Sequence, residues 1–152
     1  MILQSWRISS EHIMPRWWWV RVHASAEDLR RAAYRYQPWT GREFWDANAL
    51  GCCQHARPLV HEDADPDAPK PDELLWPAYG FAGVIRLSAE ALYPEVIHHE
   101  VLHASCATYR MNVAMDLRLG TGFADMSHEE DLAYIHGQLA ADMDTALRDW
   151  CG

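Results

Sequence analysis

The sequence predicts one α+β domain spanning residues 1–152, in which a small, mostly antiparallel sheet packs against a central helix, with the C-terminal helix behind it. Three observations predict this. Two short runs, Trp17–Val22 and Phe81–Leu87, are rich in aromatic and β-branched residues. Long stretches after Pro94 and after Ser127 repeat their apolar residues at helical spacing. Finally, 152 residues suit a single core that needs no metal to fold.

Residues 1–15 show no clear period and are expected to form an irregular arm. In the Trp17–Val22 strand, packing is the expected role of the three tryptophans, each a large hydrophobic filler. Ser25 is placed to cap a helix, with Asp28 three residues on. Leu29, Ala32, Ala33 and Tyr36 then recur on one face until Pro38. Ala49–Cys53 reads as a short strand. His61–Pro77 holds six acids and four prolines and is expected to be a solvated loop. Its Asp63, Asp65 and Asp67 have calcium-loop spacing, but Ala68 replaces the turn glycine and Leu74 the closing glutamate. A helix should start at Pro94 and run to about Met111, with a turn over Gly120–Ala124. The last helix should run from Ser127 to Trp150, with Leu132, Ile135, Leu139, Met143, Ala146 and Trp150 as its apolar stripe.

Composition narrows the function classes. The formal net charge of −9 argues against a general nucleic-acid surface, which needs clustered positive charge. Arg30, Arg31 and Arg35 are expected to be a solvated helix face. No stretch has the roughly 18 apolar residues of a membrane span, and the first residues lack a signal-peptide core, so a cytoplasmic location is expected. Cys52, Cys53, Cys106 and Cys151 follow no disulfide framework. Adjacent Cys52 and Cys53, with His55 and His61, lack the gap that lets two thiolates reach one zinc.

The informative segment is His98-His99-Glu100-Val101-Leu102-His103, which contains H-E-x-x-H. This composition would produce the motif by chance in roughly 3% of shuffled chains. Its position inside a predicted apolar helix, with a strand before it, makes chance a poorer explanation still. Side chains four apart on a helix stack on one face, so His99 and His103 can grip one ion. Glu100 lies about 100° around the helix, where it can reach a water beside that ion without ligating it. His98 is expected to face away, at the surface or steadying a ligand's other nitrogen. A catalytic zinc also needs a third protein donor; His128, Glu129, Glu130 and His136 are the downstream candidates.

On these residues the chain resembles the gluzincin branch of the zincin metallopeptidases, in which a later helix supplies a glutamate ligand. More narrowly, it looks like compact peptidases of the ImmA/IrrE type and related phage and bacterial proteins, whose later helix reads close to E-x-x-A-x-x-F-A. Glu130 and Ala133 match that pattern, while His136 and Gly137 depart from it. The likeness spans about Phe81 to the C-terminus.

The resemblance implies a zincin-like fold and zinc held by His99, His103 and Glu130. It implies Glu100 as general base, a peptide or protein substrate, and a strand before the motif helix beside the cleft. That strand, Gly83–Leu87, is expected to align an extended peptide. Ala133 and Gly137 are expected to let the last helix approach the motif helix. Ser127-His128-Glu129-Glu130 is also a capping box, which leaves Glu129 as an alternative ligand. His136, Tyr134 and Tyr109 are candidates to steady an oxyanion. Two other functions stay open: a metal hydrolase of a non-peptide substrate, and a catalytically silent scaffold acting as an interaction protein.

Overall fold

The structure is a computed structural model that describes residues 1–36, 48–55, 80–119 and 128–151; at 55, 114–119 and 128 it describes the backbone alone. The described residues form β1 (Ile2–Ser10), β2 (Arg16–His23), α1 (Ala26–Tyr36), β3 (Gly51–His55), β4 (Phe81–Ser88), α2 (Pro94–Leu119) and α3 (His128–Cys151). A short 3-10 turn, Ala89–Ala91, leads from β4 towards α2. The order β1-β2-β4-β3 makes one mixed sheet.

The predicted irregular arm is instead a strand. Trp6 and Ile8 alternate with Arg7 and Ser9, a period too short to stand out in the sequence. β1 forms because β2 satisfies its backbone, in an antiparallel register that sets Trp6 opposite Val20 and Ile8 opposite Trp18. β3 likewise pairs antiparallel with β4, whereas β2 and β4 run parallel. Parallel neighbours need a long crossover, and α1 lies within the chain that joins these two. Its start is fixed as expected, with Ser25 Oγ accepting from the Asp28 amide at 3.1 Å.

Both faces of the sheet are covered. Trp18, Val20, Val22, Ile85 and Leu87 face α2 and α3, where they bury Ile97, Val101, Ala104, Ile135, Leu139 and Met143. On the other face Leu29, Ala33 and Tyr36 of α1 meet Cys52, Val84 and Phe81, flanked by Trp17 and Trp19. Every residue of β4 is therefore buried. At Gly83 the β2–β4 register slips, φ is +155°, and a Cβ would lie 2.1 Å from the Gln54 carbonyl oxygen. Only glycine fits there.

The C-terminal helix stands beside α2 rather than behind it, on the same sheet face and against β1. Asp142 Oδ2 accepts from the Ser9 amide at 2.9 Å, and Gln138 Oε1 accepts from Ser10 Oγ at 2.9 Å. Trp150 packs on Trp6 with ring centroids 6.4 Å apart. At the far end His12 Nε2 meets the buried Asp131 Oδ1 at 2.8 Å. Asn112 of α2 donates to the His12 carbonyl at 3.0 Å. Asp131 and Asn112 thus share one end of the α2–α3 pair, which runs antiparallel.

Candidate active site

Pro94 opens α2, and two amides of its first turn, those of Val96 and Ile97, donate to the Tyr93 carbonyl, both at 3.0 Å. Ile97, Val101, Ala104 and Thr108 then anchor its inner face, with Thr108 Oγ1 accepting from the buried Trp18 Nε1 at 2.9 Å. This anchoring fixes the rotation of the motif. His98, His99, Leu102 and His103 are turned to solvent and Glu100 is turned inward.

His99 and His103 meet one turn apart. Their Nε2 atoms are 3.1 Å apart, with ring centroids at 4.6 Å and planes at 78°. Two imidazoles on a tetrahedral zinc, each at about 2.05 Å, hold their nitrogens about 3.3 Å apart. The pair therefore fits two corners of such an ion. Without one, the same spacing lets one ring donate to the other. Burial, then the neighbouring His99 and Arg110, push the His103 pKa below its ordinary value, favouring the neutral imidazole that metals bind.

Glu100 is 5% exposed and lies against β3. A Cβ on Gly51 would come within 2.9 Å of Glu100 Cγ and 3.1 Å of Oε1, so glycine makes the room for this carboxylate. Burial pushes the Glu100 pKa up to about 7, a value suited to taking and returning a proton near neutrality. The Cys53 thiol beside it is raised as well, chiefly by burial and then by the Glu100 charge.

Glu130 does not join this group. It is exposed in the first turn of α3, as is Glu129. The contact between Ser105 Oγ and His136 Nδ1, 3.1 Å, fixes how the two helices align. Glu130 precedes His136 by six residues and His103 precedes Ser105 by two. On antiparallel helices these offsets add to an axial separation of about 12 Å. Among the described residues no three His, Cys, Asp or Glu side chains converge as a metal site. The His128 side chain, the expected turn over Gly120–Ala124, His61 and the acidic loop 61–77 lie outside the described residues.

The expected small-residue strip does not serve the helix contact either. Ala133 and Gly137 are exposed, and nothing lies within 4 Å of a Cβ built on Gly137. The helices meet instead at His136 and Ser105, beside the buried Leu139 and Met143 of the common core. Of the oxyanion candidates, His136 is nearest to His103 along the helix pair. Tyr134 is stacked on His12 at 5.1 Å, and Tyr109 lies nearly two turns beyond His103.

The sequence also missed which strand borders the motif. β4 is hydrogen-bonded on both sides and cannot accept another strand; β3, with Gly51 and Cys53 facing Glu100, is the neighbour. Only the contact itself shows this, because a glycine in a weak strand gives no local sign of the carboxylate it accommodates. Cys52 and Cys53 point to opposite faces of the sheet, which separates their thiols from any shared ion. Searches of protein families, of curated proteins and of solved structures found no match to this chain.

Proposed function

We propose that this chain is a zinc-dependent hydrolase of the zincin type that cleaves peptide bonds, with His99 and His103 holding the metal and Glu100 as general base. The observation that supports it is the 3.1 Å approach of the two Nε2 atoms, on the same helix as a buried carboxyl whose pKa is about 7. The resemblance described above supplies the reaction class. When bound, zinc would polarise the scissile carbonyl and acidify the attacking water. Glu100 takes the proton of that water and returns it to the leaving amine. β3, which has one strand neighbour among the described residues, is the candidate edge for an extended peptide. Glu130, the third ligand that the resemblance implies, lies too far along α3 in this geometry, so the proposal rests on the imidazole pair.

That same absence of a third donor among the described residues favours a second reading, a zincin-like scaffold that binds partners without catalysis. Elemental analysis of the purified protein, followed by assays on casein and peptide libraries, separates the two. Zinc with turnover that Glu100→Gln abolishes supports the hydrolase. Absence of metal and of turnover, or full activity in Glu100→Gln, overturns it.

A further inference from the structure

We propose that Asp142 and Gln138 of α3, with Gln4 of β1 itself, lock the outer edge of the sheet against pairing with the β1 strand of a second copy of this chain. Among the described residues β1 has β2 as its one strand neighbour. An open edge presents a row of amides and carbonyls to any other extended chain. The register fixes which groups these are. Along an antiparallel pair, residues alternate between exchanging hydrogen bonds across the ladder and turning both backbone groups away from it. The amides of Ser5, Ser9 and Glu11 all bond to side chains, so the odd-numbered residues of β1 are the ones turned outward.

Each of these three amides has an acceptor set upon it. The Ser9 amide donates to Asp142 Oδ2 at 2.9 Å, and the Ser9 hydroxyl donates to the same oxygen at 3.4 Å. The Glu11 amide donates to Gln138 Oε1 at 2.8 Å, and the Ser5 amide to Gln4 Oε1 at 3.1 Å. Burial does not hold the two α3 side chains there, since Asp142 and Gln138 are exposed. They stand four residues apart on one flank of α3, which Asp131 continues to His12. Two strand residues rise about 6.8 Å and four helical residues about 6 Å, so alternate edge amides and successive turns of α3 stay in step. The strand itself defines the occupant that is shut out. β1 can meet its own copy antiparallel about a two-fold axis at Ile8, with the outward residues aligned. Arg7 then faces Ser9 of the second copy and Ser5 faces Glu11, so no like charges stand opposite each other. The proposal is independent of the hydrolase reading, because no residue of α2 takes part.

The test is sedimentation of the whole protein, with amide hydrogen exchange read alongside. Wild type should run as a monomer at about 100 μM. Its Ser9 and Glu11 amides should exchange at least about tenfold more slowly than unprotected ones. Asp142→Ala combined with Gln138→Ala should raise the self-association constant at least about tenfold, with helix content by circular dichroism unchanged. Asp142→Asn keeps an acceptor oxygen, and Asp144→Ala lies on the other side of α3, so both should remain monomeric. A folded double variant that stays monomeric overturns the proposal, as does equal association in Asp144→Ala or a wild type already paired through β1. Should the double variant not fold, wild-type exchange decides: Ser9 and Glu11 amides without protection overturn the lock.

Discussion

Gly51 and Glu100 are in direct van der Waals contact, and a methyl group on Gly51 would sit 2.9 Å from Glu100 Cγ and 3.0 Å from Val96 Cγ1. The weakly marked strand β3 and the motif helix are thus matched to each other at the carboxylate on which the proposed chemistry turns. Gly51→Ala should overpack this contact and cost about 1–3 kcal/mol in chemical denaturation. Gly137→Ala makes the contrast. With open space around that position in mid-helix, it should stabilise by about 0.5–1 kcal/mol. An unchanged midpoint in Gly51→Ala would mean that the strand and helix do not meet as described.

Burial raises the Glu100 pKa from 4.5 to about 7, so between these values the folded protein binds more protons than the unfolded chain. Stability in the presence of chelator should therefore fall as pH rises from about 4.5 to 7, by up to about 3 kcal/mol, and then level off. His103 opposes this over part of the range. Its depressed pKa makes the unfolded chain the stronger proton binder near pH 6, which adds a rising component. Glu100→Gln should remove the falling component and be more stable than wild type at pH 8. Parallel stability profiles for the two proteins would contradict a buried, titrating Glu100.

Zinc binding should depend on the two imidazoles and not on Glu130. His99→Ala and His103→Ala should each weaken it at least about tenfold, as loss of one donor from a tetrahedral site does. Glu130→Ala should change it by less than about threefold. Competition with a chromogenic chelator measures all three. A large loss in Glu130→Ala would require the start of α3 to move towards His103 when metal binds.

Asp131 is 1% exposed and pairs with His12 at the turn between β1 and β2. His12→Ala leaves that carboxylate buried with one partner fewer and should cost about 1–3 kcal/mol at pH 6. Asp131→Asn together with His12→Ala should recover part of the loss, because no buried charge then remains. A double variant no more stable than His12→Ala alone would refute this account of the pair.

Much of the architecture was legible wherever a segment announces its own period. The strands at Trp17–Val22 and Phe81–Leu87, the cap at Ser25, the start at Pro94 and the stripe Ile135–Leu139–Met143 all follow from local pattern, and all recur in the fold. β1 was not legible, since Trp6 and Ile8 become a strand only when β2 pairs with them. The parallel β2–β4 pairing was hidden for the same reason: partners distant in sequence leave no mark on each other's composition. At the site, the turning of His99 and His103 to one face follows from helical geometry alone. The inward turn of Glu100 depends on which face Val101 and Ala104 bury, and its contact with Gly51 depends on a strand whose signal is weak. The reach of Glu130 depended on how far α2 continues past Met111. Eight further helical residues carry the chain down another two turns before α3 begins, and the glutamate is left at the wrong height.

The docking of α3 on β1 also bears on how the chain reaches its native state. Ser9 is bonded to Asp142, 133 positions later, so the β1 side of the first hairpin lacks its cover until the last helix has been made, although α2 already packs on β2. On the ribosome Trp6 and Ile8, on the strand that α3 covers, would stay unshielded longest, a surface suited to chaperone capture. Release of a nascent chain stalled before residue 128 should therefore yield a sticky, protease-sensitive intermediate, even though all four strands are already present in it.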